Sequence, residues 1–162
     1  AFLAIGRPET EGCYCQVNHI LKDVIASVAE NFDYVIIDGE AGIEQVNRRV
    51  METVSHLVLV SDASVKGLQV AGRIKAVADR TIGYRHAALL LNRIQSETEW
   101  DSLAVPPALP GPVRIPEDGQ IRSADIAGKS LLDQPASPAL TAVGKWLNKM
   151  GVSSFHQTTK AV

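Results

Sequence analysis

Short apolar runs, each closed by polar residues and separated by helix-period segments, constrain this chain more than anything else in it. Tyr34-Val35-Ile36-Ile37 runs into Asp38-Gly39, His56-Leu57-Val58-Leu59-Val60 into Ser61-Asp62, and Ala87 to Leu91 into Asn92-Arg93. Continuous β-branched and aliphatic runs of this length read as strands buried on both faces, the pattern of parallel sheets. Val113-Arg114-Ile115 is a shorter strand ending at Pro116, and Leu3 to Ile5 reads as the end of another. Between them, Val17, Ile20, Leu21, Val24, Ile25, Val28 and Phe32 recur at helical spacing. Residues 65–79 predict a helix with Leu68, Ala71, Ile74 and Ala78 inward, and Leu140, Val143, Leu147 and Met150 predict a final helix ended by Gly151. Helix is also expected over 44–53 and over 120–132, the second with a weak apolar face. This alternation predicts an open, mostly parallel α/β sheet with helices on both faces and right-handed crossovers.

Composition narrows the function. Of 162 residues, 46% are hydrophobic and 21% charged, enough apolar surface for a packed core. The formal net charge of -2 gives no support to a nucleic-acid binder with a strongly basic surface. No apolar run approaches the roughly 18 residues of a membrane span, so no membrane insertion is expected. The chain opens on Ala1, already inside an apolar run, and is expected to be incomplete at its amino end.

In open α/β sheets, ligands bind beyond the carboxyl ends of the strands. The residues there are Asp38 to Gly42, Ser61-Asp62, Asn92-Arg93 and Pro116-Glu117-Asp118. Asp38 is placed as the carboxylate that supports bound Mg²⁺ in nucleoside triphosphatases, or it is a turn Asp before Gly. Gly42 either brings a backbone N–H close to a phosphate or serves only a turn. The Asn92 amide can donate to and accept from a purine edge, or it caps the strand or the next helix. Asp118 can hydrogen-bond ribose or base, or act as N-cap for the helix near Gln120.

Cys13 and Cys15 are the only cysteines, and a bridge across one residue would be strained. With no wider cysteine framework, a reducing cytoplasm is expected, and two close thiols then point to a metal, to redox chemistry or to chance. His19 is a further candidate ligand if a helix has begun there. Ser123-Ala-Asp-Ile-Ala-Gly-Lys-Ser130 imitates a phosphate loop, but its first glycine is a serine and no strand leads into it. Gly128-Lys129 is expected to end a helix instead. The sequence contains no HExxH, no nucleophile elbow and no CxxC.

Taken in order, residues 6–15 (Gly-Arg-Pro-Glu-Thr-Glu-Gly-Cys-Tyr-Cys), 38–42 (Asp-Gly-Glu-Ala-Gly), 60–64, Leu91-Asn92-Arg93 and Ile115-Pro116-Glu117-Asp118 resemble the nickel-insertion accessory ATPases of carbon monoxide dehydrogenase. These lie within the MinD/ParA-like class of P-loop NTPases with a deviant Walker A motif. The resemblance implies that Asp38 is the Walker B-type acid and Gly42 the switch II glycine near the γ-phosphate. It implies that Asn92, with Arg93 beside it, recognises adenine, and that Pro116, Glu117 and Asp118 border the base. Cys13 and Cys15 would bind Ni²⁺, or Zn²⁺ in its place, at a homodimer interface, with ATP and Mg²⁺ as cofactors and carbon monoxide dehydrogenase as client. The strand, phosphate loop and helix that open such proteins are not in this sequence, an expected lack of roughly 30 residues or more. Residues 1–150 then read as the carboxyl-terminal portion of one nucleotide-binding domain and 151–162 as a polar tail. The chain alone is expected not to hydrolyse ATP efficiently. Two other readings are a partition or positioning ATPase of the same fold and a non-catalytic binding domain.

Overall fold

The structure, a computed structural model, describes residues 23–39, 52–131 and 136–152. Its centre is a three-stranded parallel sheet in the order β1-β2-β3: β1 (Thr53–Ser61), β2 (Gly83–Ile94) and β3 (Pro112–Pro116). Parallel neighbours need a crossover, and α1 (Val65–Thr81) supplies the first. The second crossover carries a short α2 (Glu97–Asp101) and an irregular loop, and α3 (Gly119–Ile126) and α4 (Pro138–Lys149) follow β3.

The middle strand organises two cores because its side chains alternate between faces. Leu89 and Leu91 meet Leu59 of β1, Leu68 and Ala71 of α1, and Leu109 of the loop, with Trp100 and Leu103 packed alongside. Ala88 and Leu90 meet Ile115 of β3 and Ala139 of α4, with Val143 and Trp146 alongside. Helices therefore cover both faces of the sheet, as the alternation predicts. Ile94 is three residues after Leu91, so an unbroken strand would turn it to the opposite face. It nevertheless packs with Leu91, because the β2–β3 register shifts between Leu91 and Ile94. Arg93 sits in the left-handed region there (φ 63°), and the bulge restores Ile94 to the first core.

The predicted strands at 56–61, 87–91 and 113–115 are all present, and each extends beyond its apolar run. Helix α1 ends two residues later than predicted, and its inward residues Leu68, Ala71 and Ala78 are buried. Helix α4 is followed by Gly151 at φ 79°, as a helix-ending glycine requires. Helix α3 stops at Ile126, short of the predicted 132. Gly128 at φ 63° ends it, with Lys129 N–H donating to Ala124 and Gly128 N–H to Asp125. The phosphate-loop look-alike is thus a helix carboxyl end, where carbonyls rather than N–H groups are left over.

Three expectations are corrected. Residues 34–37 form no strand, and their apolar side chains are exposed, Ile36 by 85%. A β-branched run favours extended backbone, but a strand needs a neighbouring ladder, and none pairs with this run among the described residues. Of the long predicted helix, residues 23–29 are helical, while Val24, Val28 and Phe32 stay exposed and Phe32 lies past the helix end. Thr53, read as the last residue of a helix, begins β1. Residues 44–51 and the Leu3–Ile5 run lie outside the described residues, and Glu52 is a bend.

Candidate functional site

Because all three strands are parallel, their carboxyl ends lie along one edge. The register places Ser61 beside Leu91 and Ile94 beside Pro116, and Glu117 N–H donates to the Ile94 carbonyl at 2.9 Å. The Ser61-Asp62, Asn92-Arg93 and Pro116-Glu117-Asp118 segments are therefore neighbours, as a strand-end site requires.

At the end of β1, Asp62 organises the entry to α1. Its Oδ1 accepts from Ser64 N–H at 3.0 Å and from the Ser64 hydroxyl at 2.6 Å. The Ser64 Oγ in turn caps α1 by accepting from Gly67 N–H at 2.9 Å. The Ser64 hydroxyl, then its N–H, hold the Asp62 carboxyl below the usual carboxylate range, and the Arg93 charge adds to this.

At the end of β2, the bulge decides where Asn92 and Arg93 go. The Asn92 Oδ1 accepts from the Arg93 N–H at 3.0 Å, and both side chains are exposed. A non-glycine residue at positive φ is sparsely populated and costs of order 1 kcal/mol or more, and such residues cluster at functional sites. With its oxygen turned to the backbone, Asn92 keeps its amide N–H₂ as donor toward the edge.

At the end of β3, Asp118 is buried and both its oxygens meet backbone N–H groups. Oδ1 accepts from Gln120 at 3.0 Å and Ile121 at 3.4 Å, capping α3. Oδ2 accepts from Ala139 at 3.1 Å in the first turn of α4. The Ser137 hydroxyl, then the Ala139 N–H, hold the Asp118 carboxyl below its ordinary value. Of the two roles read for Asp118, the structure displays the cap, and it serves two helices. Ser137, the N-cap of α4, is the companion residue that sequence reading missed. Pro138 directly after it was the available signal, since Pro favours the first helical turn. Beside Asp118 lies an open cleft of about 710 Å³, lined among others by Glu117, Gln120, Ser123 and Lys129. The structure thus brings Asn92, Arg93, Pro116, Glu117 and Asp118 to one edge, with a concavity at Glu117 and Asp118. Asp38 is exposed in the segment 34–39, which is not a strand of the sheet. Gly42, Cys13, Cys15 and His19 lie outside the described residues, among which no three His, Cys, Asp or Glu side chains gather as a metal site. No helix among the described residues is long and apolar enough to cross a membrane.

No protein-family model matches the chain. It is 34% identical over 136 residues to an uncharacterised ATP-binding protein of Methanocaldococcus jannaschii, covering 82% of this chain and 54% of that protein. It is 32% identical over 139 residues to the carbon monoxide dehydrogenase accessory protein CooC of Rhodospirillum rubrum, covering 79% of this chain and 48% of that protein. Its homologues are ATP-binding MinD/ParA-like proteins. The cell division ATPase MinD of Pyrococcus furiosus superposes with a TM-score of 0.58 at 21% identity, over 82% of this chain and 59% of that one. The parallel sheet with its helices is the MinD P-loop NTPase fold. The chain spans about half the length of the curated MinD/ParA-like relatives it matches.

Proposed function

We propose that the strand-end edge is the base-recognition side of an ATP site in a MinD/ParA-like ATPase. The observation that carries this is the bulge at Asn92-Arg93 set beside the Glu117–Asp118 cleft, on the edge where α/β sheets bind ligands. The exposed Asn92 N–H₂ is a donor suited to a purine edge, and Glu117, which borders the cleft, is held to the end of the same strand by its N–H bond to the Ile94 carbonyl. An adenine in the cleft would stack against apolar rim atoms such as Pro138, while Glu117 and Asn92 select its polar edge. Asp38 and Gly42 are proposed to serve Mg²⁺ and the γ-phosphate.

The finer reading is an ATP-driven metallochaperone that delivers nickel to carbon monoxide dehydrogenase. The 32% identity to CooC supports it. So does the pair Cys13 and Cys15, whose two thiolates, doubled across a two-fold axis, would complete a four-sulfur site for Ni²⁺ or Zn²⁺. The partition or positioning ATPase and the non-catalytic domain would not need both thiols.

The test uses the gene product that contains these residues. A fluorescent adenine nucleotide should bind, ATP should displace it better than GTP, and Asn92→Ala should weaken binding about tenfold, as one lost base contact of 1–3 kcal/mol predicts. Equal affinity of the Asn92→Ala protein for ATP would remove the base-recognition reading. Separately, about one Ni²⁺ or Zn²⁺ per dimer should bind, and Cys13→Ser with Cys15→Ser should abolish it. Unchanged stoichiometry would leave the ATPase without its metal role.

A further inference from the structure

The amino ends of the strands, opposite the proposed nucleotide edge, carry a pair of residues that the proposed function does not use. His56 of β1 and His86 of β2 are register partners. Their rings lie 5.0 Å apart, centre to centre, with planes inclined by 23°. In the neutral state this is an ordinary aromatic contact. The rings are stacked, with their in-plane lone pairs running side by side; turned edge-on about their Cβ atoms, the two rings reach a chelating separation. Two imidazole nitrogens at about 2.0–2.1 Å from one tetrahedral ion bring the two ring centres roughly 5 Å apart.

We propose that His56 and His86 form a two-imidazole site for a divalent transition-metal ion, separate from the Cys13–Cys15 pair. Three observations support it. Parallel strands fix both Cβ atoms, so only ring rotation is needed to aim the two nitrogens at one ion. The His56 Nδ1 lies 3.1 Å from the Ser55 hydroxyl; with Nδ1–H donating there, Nε2 keeps its lone pair for a metal. His86 is exposed and His56 half-buried, so water can reach the pair to fill the remaining positions. Nitrogen donors select Cu²⁺, Ni²⁺ or Zn²⁺ over Mg²⁺, with Cu²⁺ bound most tightly.

The test uses the full chain carrying Cys13→Ser and Cys15→Ser, titrated with Cu²⁺ alone and with Cu²⁺ in the presence of excess Mg²⁺. One Cu²⁺ per chain should bind, Mg²⁺ should not compete, and the paramagnetic spectrum should show two nitrogen ligands. His56→Gln and His86→Gln should each weaken binding at least tenfold. Binding that neither substitution weakens, or a spectrum with fewer than two nitrogens, would overturn the site. If a variant fails to fold, the spectrum of the chain with both histidines decides alone.

Discussion

Gly67 is the residue whose identity the local geometry dictates most tightly. A Cβ there would lie 2.3 Å from Asp62 Oδ1 and 2.6 Å from Ser61 Oγ. Alanine is otherwise the better helix former by about 1 kcal/mol. Here the steric term wins, because the Asp62 carboxylate is tied to both donors of Ser64 and moves only by giving them up. Gly67→Ala should destabilise the protein by about 1–2 kcal/mol net, the overpacking cost of 1–3 less part of the helix gain. Denaturant unfolding checks this, and an unchanged or higher midpoint would refute it. None of this was legible in the sequence, where Gly67 is simply a poor helix former inside a helical pattern. Ser64 was legible in principle as a cap ahead of an apolar-periodic stretch. The pairing of Asp118 with α3 was foreseen as one of two roles, but its reach to Ala139 was not, because sequence spacing does not say which later helix start will arrive beside it.

At the scale of elements, β2 differs from its neighbours because both of its faces are covered. Leu89 is fully buried, whereas Val60 of β1 is 66% exposed. Leu89→Ala should cost about 2–5 kcal/mol, while Val60→Ala should cost under about 1 kcal/mol. Comparing the two unfolding midpoints measures the contrast; equal losses would mean that the two-sided core is misplaced. The strands of the sheet were readable because each is a continuous aliphatic run, and α1 and α4 because their apolar residues hold one face. Helix α2 went unread although Ser96 and Glu99 carry a capping pattern: Ser96 Oγ accepts from Glu99 N–H at 3.0 Å, and Glu99 accepts from Gln95 N–H at 2.6 Å. Its five residues are too few for a periodicity to show. The run at 34–37 fails in the opposite way. Its residue types announce a strand, but a strand is a relation between two segments, and one segment's composition carries only half of it.

At the scale of the molecule, hydrogen-bonded carboxylates set the response to pH. Asp62, Asp79 and Asp118 are all held below the usual carboxylate range, by the Ser64 hydroxyl, the Lys75 ammonium and the Ser137 hydroxyl respectively. A depressed folded-state pKa means that the unfolded chain takes up protons first. The stabilisation is therefore fully present above the unfolded value of about 3.9 and disappears as pH falls through the lower folded values. Lys75, raised by the Asp79 carboxylate at 2.8 Å, works the other way, and its contribution fades only as pH climbs past about 10. Thermal unfolding should thus change little with these groups from pH 5 to 9 and drop steeply below about pH 4. Asp118→Asn should flatten that acid drop while lowering the neutral-pH midpoint. An acid limb identical to that of the unsubstituted protein would show that Asp118 does not contribute to it.

The double cap has a dynamic corollary. One carboxylate fastens the first turns of two helices, the second through Ala139, which stands 21 residues after Asp118 in the chain. Fraying at the start of α3 and fraying at the start of α4 are therefore not independent fluctuations, since each removes a partner from the same side chain. A ligand in the adjoining cleft that drew an Asp118 oxygen toward itself would loosen both turns at once. Occupancy of that opening would then be felt along α4, on the face of the sheet far from α1.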